Sequence, residues 1–308
     1  MYDIIIIGGG PAGLSAGLYA GRSKLKTLII EKDISGGQIS GTAFVENYPG
    51  SIEDPTGMGL SERMEEQAKE YADIVFGNVE EVNLDGEVKT VKTDSNEYQA
   101  KVIIISTGAK PRKLDAPGEQ EFANRGVSYC ATCDGPFYQG LDIYVVGGGD
   151  AALEEANYLT RFGKSVTIIH RRDEFRASGV VVENVKNNPK IKFEYDSVVK
   201  EIRGDKEVKE IVLENVKTKE EKIIKKEDGS PIGVFVFIGN IAQTDLFKDK
   251  VRMENGYIIT DEDMKTNIEG VFAVGDTRKK AVRQAVTAAS DGCIAAIMAN
   301  KYIESKSW

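Results

Sequence analysis

The chain contains an internal repeat that strongly limits the folds open to it. Residues 3–33 read DIIIIGGGPAGLSAGLYAGRSKLKTLIIEKD, and residues 142–173 read DIYVVGGGDAALEEANYLTRFGKSVTIIHRRD. With Asp3 set against Asp142, the two copies register without a gap. Each copy is a short apolar run, three glycines, a helical stretch and a second apolar run, which is the pattern of a β-α-β unit. The repeat predicts an α/β fold with two Rossmann-like dinucleotide-binding domains.

Both copies carry the glycine spacing of a dinucleotide-binding turn. In this motif the first glycine permits a tight turn and the second lets the backbone approach a pyrophosphate, while the third position lets helix and strand pack closely. A single such motif can be an ordinary glycine-rich turn, but two in register favour two dinucleotide sites. The motif residues are Gly8, Gly10 and Gly13 in copy one, and Gly147, Gly149 and Ala152 in copy two.

The copies differ where their second strands end, and the difference predicts two different ligands. Copy one has Glu31 there, and a carboxylate accepts hydrogen bonds from a free ribose 2′-hydroxyl, as in FAD or NAD. Copy two has His170 at the matching position, followed by three arginines whose forked donors suit a 2′-phosphate. We therefore expect copy two to bind NADP, although such a charge run can also be a solvated surface. The arginines are Arg171, Arg172 and Arg176.

Further ligand signals lie outside the repeat. An apolar run ends in the Thr107–Gly108 turn, and another strand is expected to end in Asp276, at the edge where open α/β sheets bind ligands. A helix is expected from about Arg283, and its N-terminus could direct a positive dipole at an anionic flavin. Glycines next to Gln38, including Gly37, could let the backbone approach the cofactor. These positions predict one split dinucleotide-binding domain, residues 1–111 with 242–308, and a second domain, residues 112–241, inserted between its two parts.

Two of the three cysteines stand close together, in the stretch GVSYCATCDG. Cys130 and Cys133 have the Cys-x-x-Cys spacing, which serves as half a zinc site, a redox disulfide or a haem attachment site. Asp134 follows directly. The spacing alone leaves these three uses open.

Composition excludes several classes of partner. The net charge of −9 argues against nucleic acid, whose phosphates would be repelled. No run approaches the ~20 apolar residues that span a bilayer, and the N-terminus lacks the pattern of a signal peptide. Few cysteines in an acidic chain fit a reducing cytoplasm, where a Cys-x-x-Cys is more often catalytic or metal-binding than structural.

Over essentially its full length, the chain resembles the low-molecular-weight, NADPH-dependent thioredoxin reductases of bacteria. The specific mark is a redox motif placed inside the NADPH domain. The shared stretches are GGGPAGLSAGLYAGR, GGQ, VENYPG, STGAKPR, GVSYCATCDG, GGGDAALEEA, HRRDEFRAS and GVFAVGDTR…RQAVTAASDG.

The resemblance implies a role for each group of residues. Cys130 and Cys133 would form the redox disulfide, with Cys133 facing the flavin and Cys130 attacking thioredoxin, and Asp134 would handle the thiol proton. It also implies a homodimer. The implied FAD residues are Gly8, Gly10, Gly13, Glu31, Gly37, Gln38, Asn47, Asp276, Arg283, Gln284 and Ala285. The implied NADPH residues are Gly147, Gly149, His170, Arg171, Arg172 and Arg176.

The remaining residues favour redox chemistry for the cysteine pair. Zinc would need four ligands, and the chain offers one cysteine pair, a distant Cys293 and one histidine already placed at the NADPH phosphate. A haem site would need histidine where Asp134 stands. We expect no metal, and we expect Cys293 to be a small core residue. Asp134 is the nearest candidate general acid–base, although Asp-Gly is also a common turn.

Three rivals and one departure complete the sequence picture. An alkyl hydroperoxide reductase flavoprotein would carry an extra N-terminal domain, whereas ferredoxin- or flavodoxin-fed relatives and a non-enzymatic redox sensor would not need the arginines of copy two. The departure is at Ala242 and Gln243, where the family usually has Pro and Asn before a threonine, here Thr244. It affects the expected linker between the domains and leaves the chemistry unchanged.

Overall fold

A computed structural model describes residues 1–42 and 45–308 of the chain. The chain forms two compact units. The first comprises Met1–Lys110 and Ile241–Trp308, and the second, Pro111–Asn240, is inserted within it. The prediction of an α/β fold with two Rossmann-like domains, one inserted in the other, is confirmed. The expected boundaries lie one residue later at each crossing. The assignment of FAD to one unit and NADPH to the other stays a prediction.

The structure has nineteen strands and six α-helices in the described residues. Up to the first crossing these are β1 (Tyr2–Ile7), α1 (Pro11–Arg22), β2 (Thr27–Glu31), α2 (Gly57–Lys69), β3 (Asp73–Phe76), β4 (Val79–Asn83), β5 (Lys89–Thr93), β6 (Glu97–Ile105) and β7 (Ala109–Pro111). The inserted unit contains β8 (Val127–Ser128), α3 (Ala131–Asp134), β9 (Asp142–Val146), α4 (Asp150–Leu159), β10 (Ser165–Ile169), α5 (Gly179–Lys186), β11 (Ile191–Glu194), β12 (Ser197–Gly204), β13 (Val208–Asn215), β14 (Glu221–Lys225) and β15 (Ile232–Val236). From the second crossing onward the elements are β16 (Asn240–Ala242), β17 (Met253–Glu254), β18 (Tyr257–Ile258), β19 (Val271–Ala273) and α6 (Ala285–Glu304).

The first unit is built on a seven-stranded sheet in the order β3-β2-β1-β6-β5-β4, with β19 also paired to β6. The pairs formed by β1, β2, β3, β6 and β19 are parallel, whereas β4 and β5 add antiparallel pairs. The run Ile4–Ile7 is almost fully buried because side chains on both faces of the strand enter a hydrophobic core. The apolar run of copy one is therefore a central parallel strand.

Small residues let α1 and α6 pack closely in the first unit. A Cβ placed on Gly292 would lie 2.0 Å from the carbonyl oxygen of Ala12, so the α6 backbone reaches the start of α1. Ala16 and Ala295 are fully buried in the same core. This packing holds the N-terminus of α1 against the C-terminal helix.

The second unit has a five-stranded parallel sheet in the order β11-β10-β9-β15-β8. A separate antiparallel sheet, β12-β13-β14, follows it in the chain. The two short crossing strands, β7 and β16, pair with each other. In each unit a glycine turn follows a central strand directly and leads into a helix, at Gly8 between β1 and α1 and at Gly147 between β9 and α4.

The sequence misplaced two element ends. The last helix begins at Ala285, not at about Arg283, because Gln284 is its N-cap and forms a reciprocal capping box with Thr287. Strand β19 ends at Ala273, so Asp276 lies in the short 3₁₀ turn Gly275–Thr277 beyond it. Arg283 therefore lies in the loop before the last helix, and Asp276 lies in the 3₁₀ turn after β19.

Candidate functional site

The two cysteines of the Cys-x-x-Cys motif are joined in a disulfide at the start of the short helix α3. Their Cα atoms are 5.3 Å apart. Cys130 is the N-cap in extended conformation, and the Cys133 amide donates to its Sγ at 3.2 Å. Both side chains are partly exposed. A helix N-terminus stabilises negative charge, so a thiolate at Cys130 would be favoured once the disulfide opens.

Asp134 is held beside this disulfide by a serine that the sequence reasoning missed. Ser128, buried at the end of β8, donates to Asp134 Oδ2 at 2.6 Å and accepts from the Cys130 amide at 3.1 Å. Burial raises the pKa of Asp134 above its ordinary value, although the Ser128 hydroxyl partly opposes this rise. A carboxyl with a raised pKa retains a proton more readily and can exchange it with a nearby thiolate. The only sequence signal for Ser128 was its position two residues before Cys130.

The first glycine turn is shaped for close approach of backbone to backbone. Gly8 has φ +108°, and a Cβ there would lie 2.4 Å from the carbonyl oxygen of Ser106. A Cβ on Gly13 would lie 1.9 Å from the carbonyl oxygen of Gly8. Around Gly10, by contrast, the nearest atom to such a Cβ is the Gly37 Cα at 3.9 Å. The turn therefore packs tightly on its inner side and leaves room beside Gly10, at the N-terminus of α1.

Glu31 ends β2 next to that turn, as the sequence predicted. Its Oε2 accepts from the Gly9 amide at 2.6 Å, and its Oε1 accepts from the Lys32 amide at 2.7 Å. These bonds hold the carboxylate at the glycine turn. Because Oε1 also accepts from the Asp33 amide at 3.2 Å, Oε2 is the oxygen that retains a lone pair for a ribose hydroxyl.

A second group of expected FAD residues surrounds the 3₁₀ turn after β19. The Oδ1 atom of Asp276 and the Nε atom of Arg283 are buried without a hydrogen-bond partner in the described residues. Burial raises the pKa of Asp276. Native proteins rarely leave such atoms unsatisfied, so each indicates a missing partner. A dinucleotide cofactor with hydroxyl groups and ring nitrogens would supply one.

Asp291 on α6 fixes this turn and was also missed from the sequence. Its Oδ2 accepts from the Gly275 amide at 3.0 Å, from Arg278 Nε at 2.9 Å and from Lys280 Nζ at 2.8 Å. Burial alone would raise the pKa of Asp291, but the bonds from Arg278 and Lys280 bring it below its ordinary value. The buried carboxylate is ionised and holds the residue that precedes Asp276.

The other expected FAD side chains also have partners within the first unit. Gln38 Nε2 donates to the Ala109 carbonyl at 2.5 Å, and Asn47 Nδ2 donates to Gln284 Oε1 at 3.2 Å. Thr107 Oγ1 donates to the Gln243 carbonyl at 2.5 Å. No side chain adds crowding at Gly108, where a Cβ would meet nothing within 4 Å. Together with the space at Gly10 and the unsatisfied Asp276 oxygen, these residues fit a bound flavin dinucleotide.

The second glycine turn is tied to the arginine loop by three contacts. The Arg176 amide donates to the Gly148 carbonyl at 2.8 Å, and the Ser178 amide donates to Asp150 Oδ1 at 2.8 Å. The His170 ring lies so close to Gly148 that a Cβ there would be 2.2 Å from it. Gly149, the N-cap of α4, is exposed, and a Cβ placed on it would meet nothing within 4 Å. The loop and the helix N-terminus thus form one surface.

His170 has a different environment from its three arginine neighbours. It is buried, packs on Phe175 with ring centroids 5.4 Å apart, and places Nε2 3.1 Å from the Glu174 carbonyl. Burial lowers the pKa of His170, and the adjacent arginines lower it further. It is therefore a neutral ring that supports the loop. Direct phosphate binding by His170 stays a prediction without a contact to support it.

The side chains of Arg171, Arg172 and Arg176 are exposed, and none forms an ion pair with another described residue. The neighbouring Asp173 is occupied by Lys217, whose Nζ lies 2.8 Å from its Oδ2. Three uncompensated guanidinium groups on one short loop suit a dianionic phosphate.

Two further observations concern alternatives from the sequence. No group of His, Cys, Asp or Glu in residues 1–42 and 45–308 is arranged to hold a metal ion, and no helix there is long and apolar enough to cross a membrane. Cys293 is half-buried on α6, not fully in the core as expected. The only described pair with disulfide geometry is therefore Cys130–Cys133.

Comparison with known proteins places these features in one family. Residues 2–292 match the family model described as pyridine nucleotide-disulphide oxidoreductase. The chain is 52% identical to a thioredoxin reductase of Peptoclostridium acidaminophilum, over 99% of this chain and 98% of that one. It is 46% identical to the thioredoxin reductase of Bacillus subtilis strain 168, over 99% and 95% of the two chains. The crystal structure of thioredoxin reductase from Streptococcus pyogenes MGAS5005 superposes with a TM-score of 0.92 at 45% identity, covering 99% of both chains.

These matches run through both glycine turns, the redox turn and the arginine loop, and they confirm the resemblance seen in the sequence. The chain belongs to the pyridine nucleotide-disulphide oxidoreductase family and, within it, to the thioredoxin reductases.

Proposed function

We propose that this chain reduces oxidised thioredoxin with electrons from NADPH, by way of FAD and the Cys130–Cys133 disulfide. The observation that carries the proposal is the redox turn itself, a disulfide at a helix N-terminus with the half-buried carboxyl of Asp134 beside it. The similarity to thioredoxin reductases, which extends over nearly the whole chain, supports the same reaction.

We assign FAD to the first unit and NADPH to the second. In the first unit, the open side of the glycine turn and the Glu31 carboxylate suit an adenosine with a free ribose. The buried Asp276 oxygen suits a polar group of the flavin half of FAD. The exposed arginines beside the second glycine turn suit the 2′-phosphate of NADPH. Bound FAD supplies two-electron chemistry, accepting hydride from NADPH and delivering an electron pair to a disulfide.

The chain's own residues account for the thiol steps. Two electrons and two protons open the S–S bond and give a dithiol, with Asp134 supplying a proton to the Cys133 sulfur and later taking it back. The Cys130 thiolate attacks one sulfur of the oxidised partner, forming a mixed disulfide and releasing the partner's other sulfur as a thiol. Cys133 then attacks Cys130, which restores the internal disulfide and releases the reduced partner.

The same proposal includes the setting of the reaction. We place the enzyme in the cytoplasm, as a homodimer, with thioredoxin or a thioredoxin-like protein as partner and without nucleic acid or membrane partners. The cytoplasmic assignment rests on the reducing chemistry and the three-cysteine composition. The dimer rests on resemblance to the family.

The test is an assay of thioredoxin reduction by the purified holoenzyme, with NADPH and NADH in parallel. We expect reduction with NADPH and a much lower kcat/KM with NADH. A flavoprotein that oxidises NADPH but leaves thioredoxin oxidised would contradict the proposed acceptor. Absence of turnover with either nicotinamide would favour the redox-sensor alternative.

A further inference from the structure

Glu119 is a buried carboxylate that lies outside the redox turn and outside both glycine turns. It occupies the loop between β7 and β8 in the inserted unit, and only 1% of its surface is exposed. No lysine, arginine or histidine in the described chain pairs with it. A buried carboxylate without a cation is costly unless hydrogen bonds compensate it, so its partners indicate its purpose.

Three donors converge on the two oxygens of Glu119. The Leu114 amide and the Tyr129 hydroxyl each donate to Oε1 at 2.9 Å, and the Asp115 amide donates to Oε2 at 2.9 Å. Burial raises the pKa of Tyr129, with Glu119 contributing, so the phenol remains a donor. Hydrogen bonds to an ionised acceptor are among the stronger ones in proteins.

The donors come from two parts of the chain that matter for the reaction. Leu114 and Asp115 follow the first crossing between the units, which lies at Lys110–Pro111. Tyr129 directly precedes Cys130. The ammonium of Lys113 lies 4.1 Å from the Tyr129 ring centroid and adds a second link between the same two segments.

The loop that carries Glu119 is itself fixed to the inserted unit. Gly118 has φ +84°, and a Cβ there would lie 1.9 Å from the carbonyl oxygen of Ile202. The Ile202 amide donates to the Pro117 carbonyl at 2.9 Å. Glu119 therefore projects from a loop anchored on β12, not from a free surface loop.

We propose that Glu119 is a positioning residue for the disulfide-exchange half of the reaction. It fastens Leu114 and Asp115, which follow the first crossing, to the residue before Cys130, so that this segment and the redox turn move as one body. The inference rests on the proposed thioredoxin reductase activity. It also shortens the first hinge, because Leu114 belongs to the fixed part and only Lys110–Lys113 remain to absorb a rotation.

The experiment compares four variants of the holoenzyme: Glu119→Ala, Glu119→Gln, Tyr129→Phe and the matched control Glu121→Gln. Glu121 is exposed on the same loop, so the control also removes one carboxylate but leaves the three hydrogen bonds to Glu119 in place. Two rates are measured, NADPH-dependent reduction of ferricyanide, which needs only the flavin, and NADPH-dependent reduction of thioredoxin. A positioning role predicts that only the second rate falls.

For Glu119→Ala we expect thioredoxin reduction to fall about tenfold while ferricyanide reduction stays within about twofold. Glutamine keeps an acceptor for Leu114 and Tyr129 but turns an NH₂ group toward the Asp115 amide, so Glu119→Gln should lose only about threefold. Tyr129→Phe should fall between these two variants, and Glu121→Gln should match the wild type.

Hydrogen exchange gives a readout that does not depend on turnover. In Glu119→Ala the Leu114 and Asp115 amides should exchange at least about tenfold faster, and the segment around Tyr129 should become less protected. If Glu119→Ala does not fold, Glu119→Gln and Tyr129→Phe carry the test. A wild-type enzyme that fails to reduce thioredoxin overturns the proposed function. A working wild type whose Glu119 and Tyr129 variants lose both rates equally, or neither, overturns the positioning role.

Discussion

At the scale of single residues, the proposed function gives different roles to the two cysteines and to the carboxyl group beside them. Ser128 orients Asp134 and the Cys130 amide together, so the proposed proton carrier and the proposed attacking thiol share one hydrogen-bonding partner. The pKa of Asp134 reflects two opposed causes, burial that raises it and the Ser128 hydrogen bond that lowers it. Each cause can be changed separately by substitution.

Asp134→Asn should leave reduction of the flavin by NADPH intact and slow the following flavin-to-disulfide step. The amide retains the size of the side chain but cannot exchange a proton at the thiol. Stopped-flow absorbance resolves the two steps. If disulfide reduction is unchanged, Asp134 is only a turn residue.

Ser128→Ala should raise the pKa of Asp134 further. The hydroxyl donates to the ionised carboxylate, so its removal destabilises the charged form while burial remains. We expect the pH dependence of the flavin-to-disulfide step to shift to higher pH in the variant. A shift to lower pH, or no shift, would mean that Ser128 does not control this carboxyl.

The two cysteines should behave differently when replaced. In Cys130→Ser, the remaining Cys133 thiolate should lie against the oxidised flavin and give a long-wavelength charge-transfer band. In Cys133→Ser, the band should be absent, and Cys130 should trap thioredoxin as a mixed disulfide. Absorbance spectra and non-reducing gels provide the two readouts. The reverse pattern would exchange the assigned roles.

At the scale of elements, function lies in the turns that follow central strands. The loop after β10 carries three exposed arginines, and two of its backbone amides donate to the Gly148 carbonyl and the Asp150 carboxylate, which fixes it beside the second glycine turn. In the first unit, Asp291 on α6 plays the corresponding supporting part for the turn that contains Asp276. Both devices connect segments that are distant in the sequence.

Replacing Arg171 and Arg172 by alanine should lower kcat/KM for NADPH far more than for NADH. Charge-assisted bonds to phosphate contribute ~1.5–3 kcal/mol each, so a loss of about tenfold or more is expected. Lys217→Ala, which removes the partner of Asp173 from the same region, is a control for general damage to the loop. Equal losses with both nicotinamides would count against the phosphate assignment.

Asp291→Asn should weaken both the fold and FAD retention. The variant leaves Lys280, with a side chain 7% exposed, without its carboxylate. Breaking a buried pair in this way costs ~3–5 kcal/mol. Because the pKa of Asp291 lies below its ordinary value of 3.8, its stabilisation is present above that pH and is lost as the pH falls through the folded-state value.

Thermal unfolding as a function of pH, with FAD content measured in parallel, tests this prediction. The variant should be less stable than the wild type at neutral pH, and the difference should shrink toward acidic pH. A constant difference at every pH would assign the loss to packing and not to charge.

At the scale of the whole molecule, the repeat was sufficient to predict two Rossmann-like units because its glycines stand where the local backbone conformation or packing excludes a side chain. A Cβ on Gly8 or Gly13 would collide with a backbone carbonyl oxygen, so both positions require glycine, and this requirement can be seen in the sequence. The antiparallel sheet β12-β13-β14 was not predicted. Its strands are rich in charge and half exposed, so their pairing depends on tertiary context.

The missed site residues have a similar explanation. Asp291 lies in a mostly apolar helix, and the sequence gives no sign that its partners Arg278 and Lys280, which precede that helix, would pair with it. Ser128 and Glu119 look like ordinary loop residues until their hydrogen bonds are known. The sequence identifies groups that do chemistry more readily than the groups that orient them.

The reaction also predicts a motion of the inserted unit. In the proposed assignment the disulfide and the NADPH site belong to one unit, and both must reach a single flavin held by the other. We therefore expect a rotation about Lys110–Lys113 and Gly239–Thr244, where few residues can absorb the change. A cross-link between the units, placed away from both sites, should permit either flavin reduction by NADPH or disulfide reduction. Full turnover in a rigidly cross-linked enzyme would rule out the rotation.

The most direct measurement of the electron path counts NADPH oxidised against thioredoxin disulfide reduced, under anaerobic conditions. It is made with the wild type and with the double variant Cys130→Ser, Cys133→Ser. An obligatory Cys130–Cys133 relay predicts equal amounts of the two in the wild type. In the double variant it predicts no thioredoxin reduction, although ferricyanide is still reduced at the expense of NADPH. Thioredoxin reduction that persists in the double variant would contradict the relay.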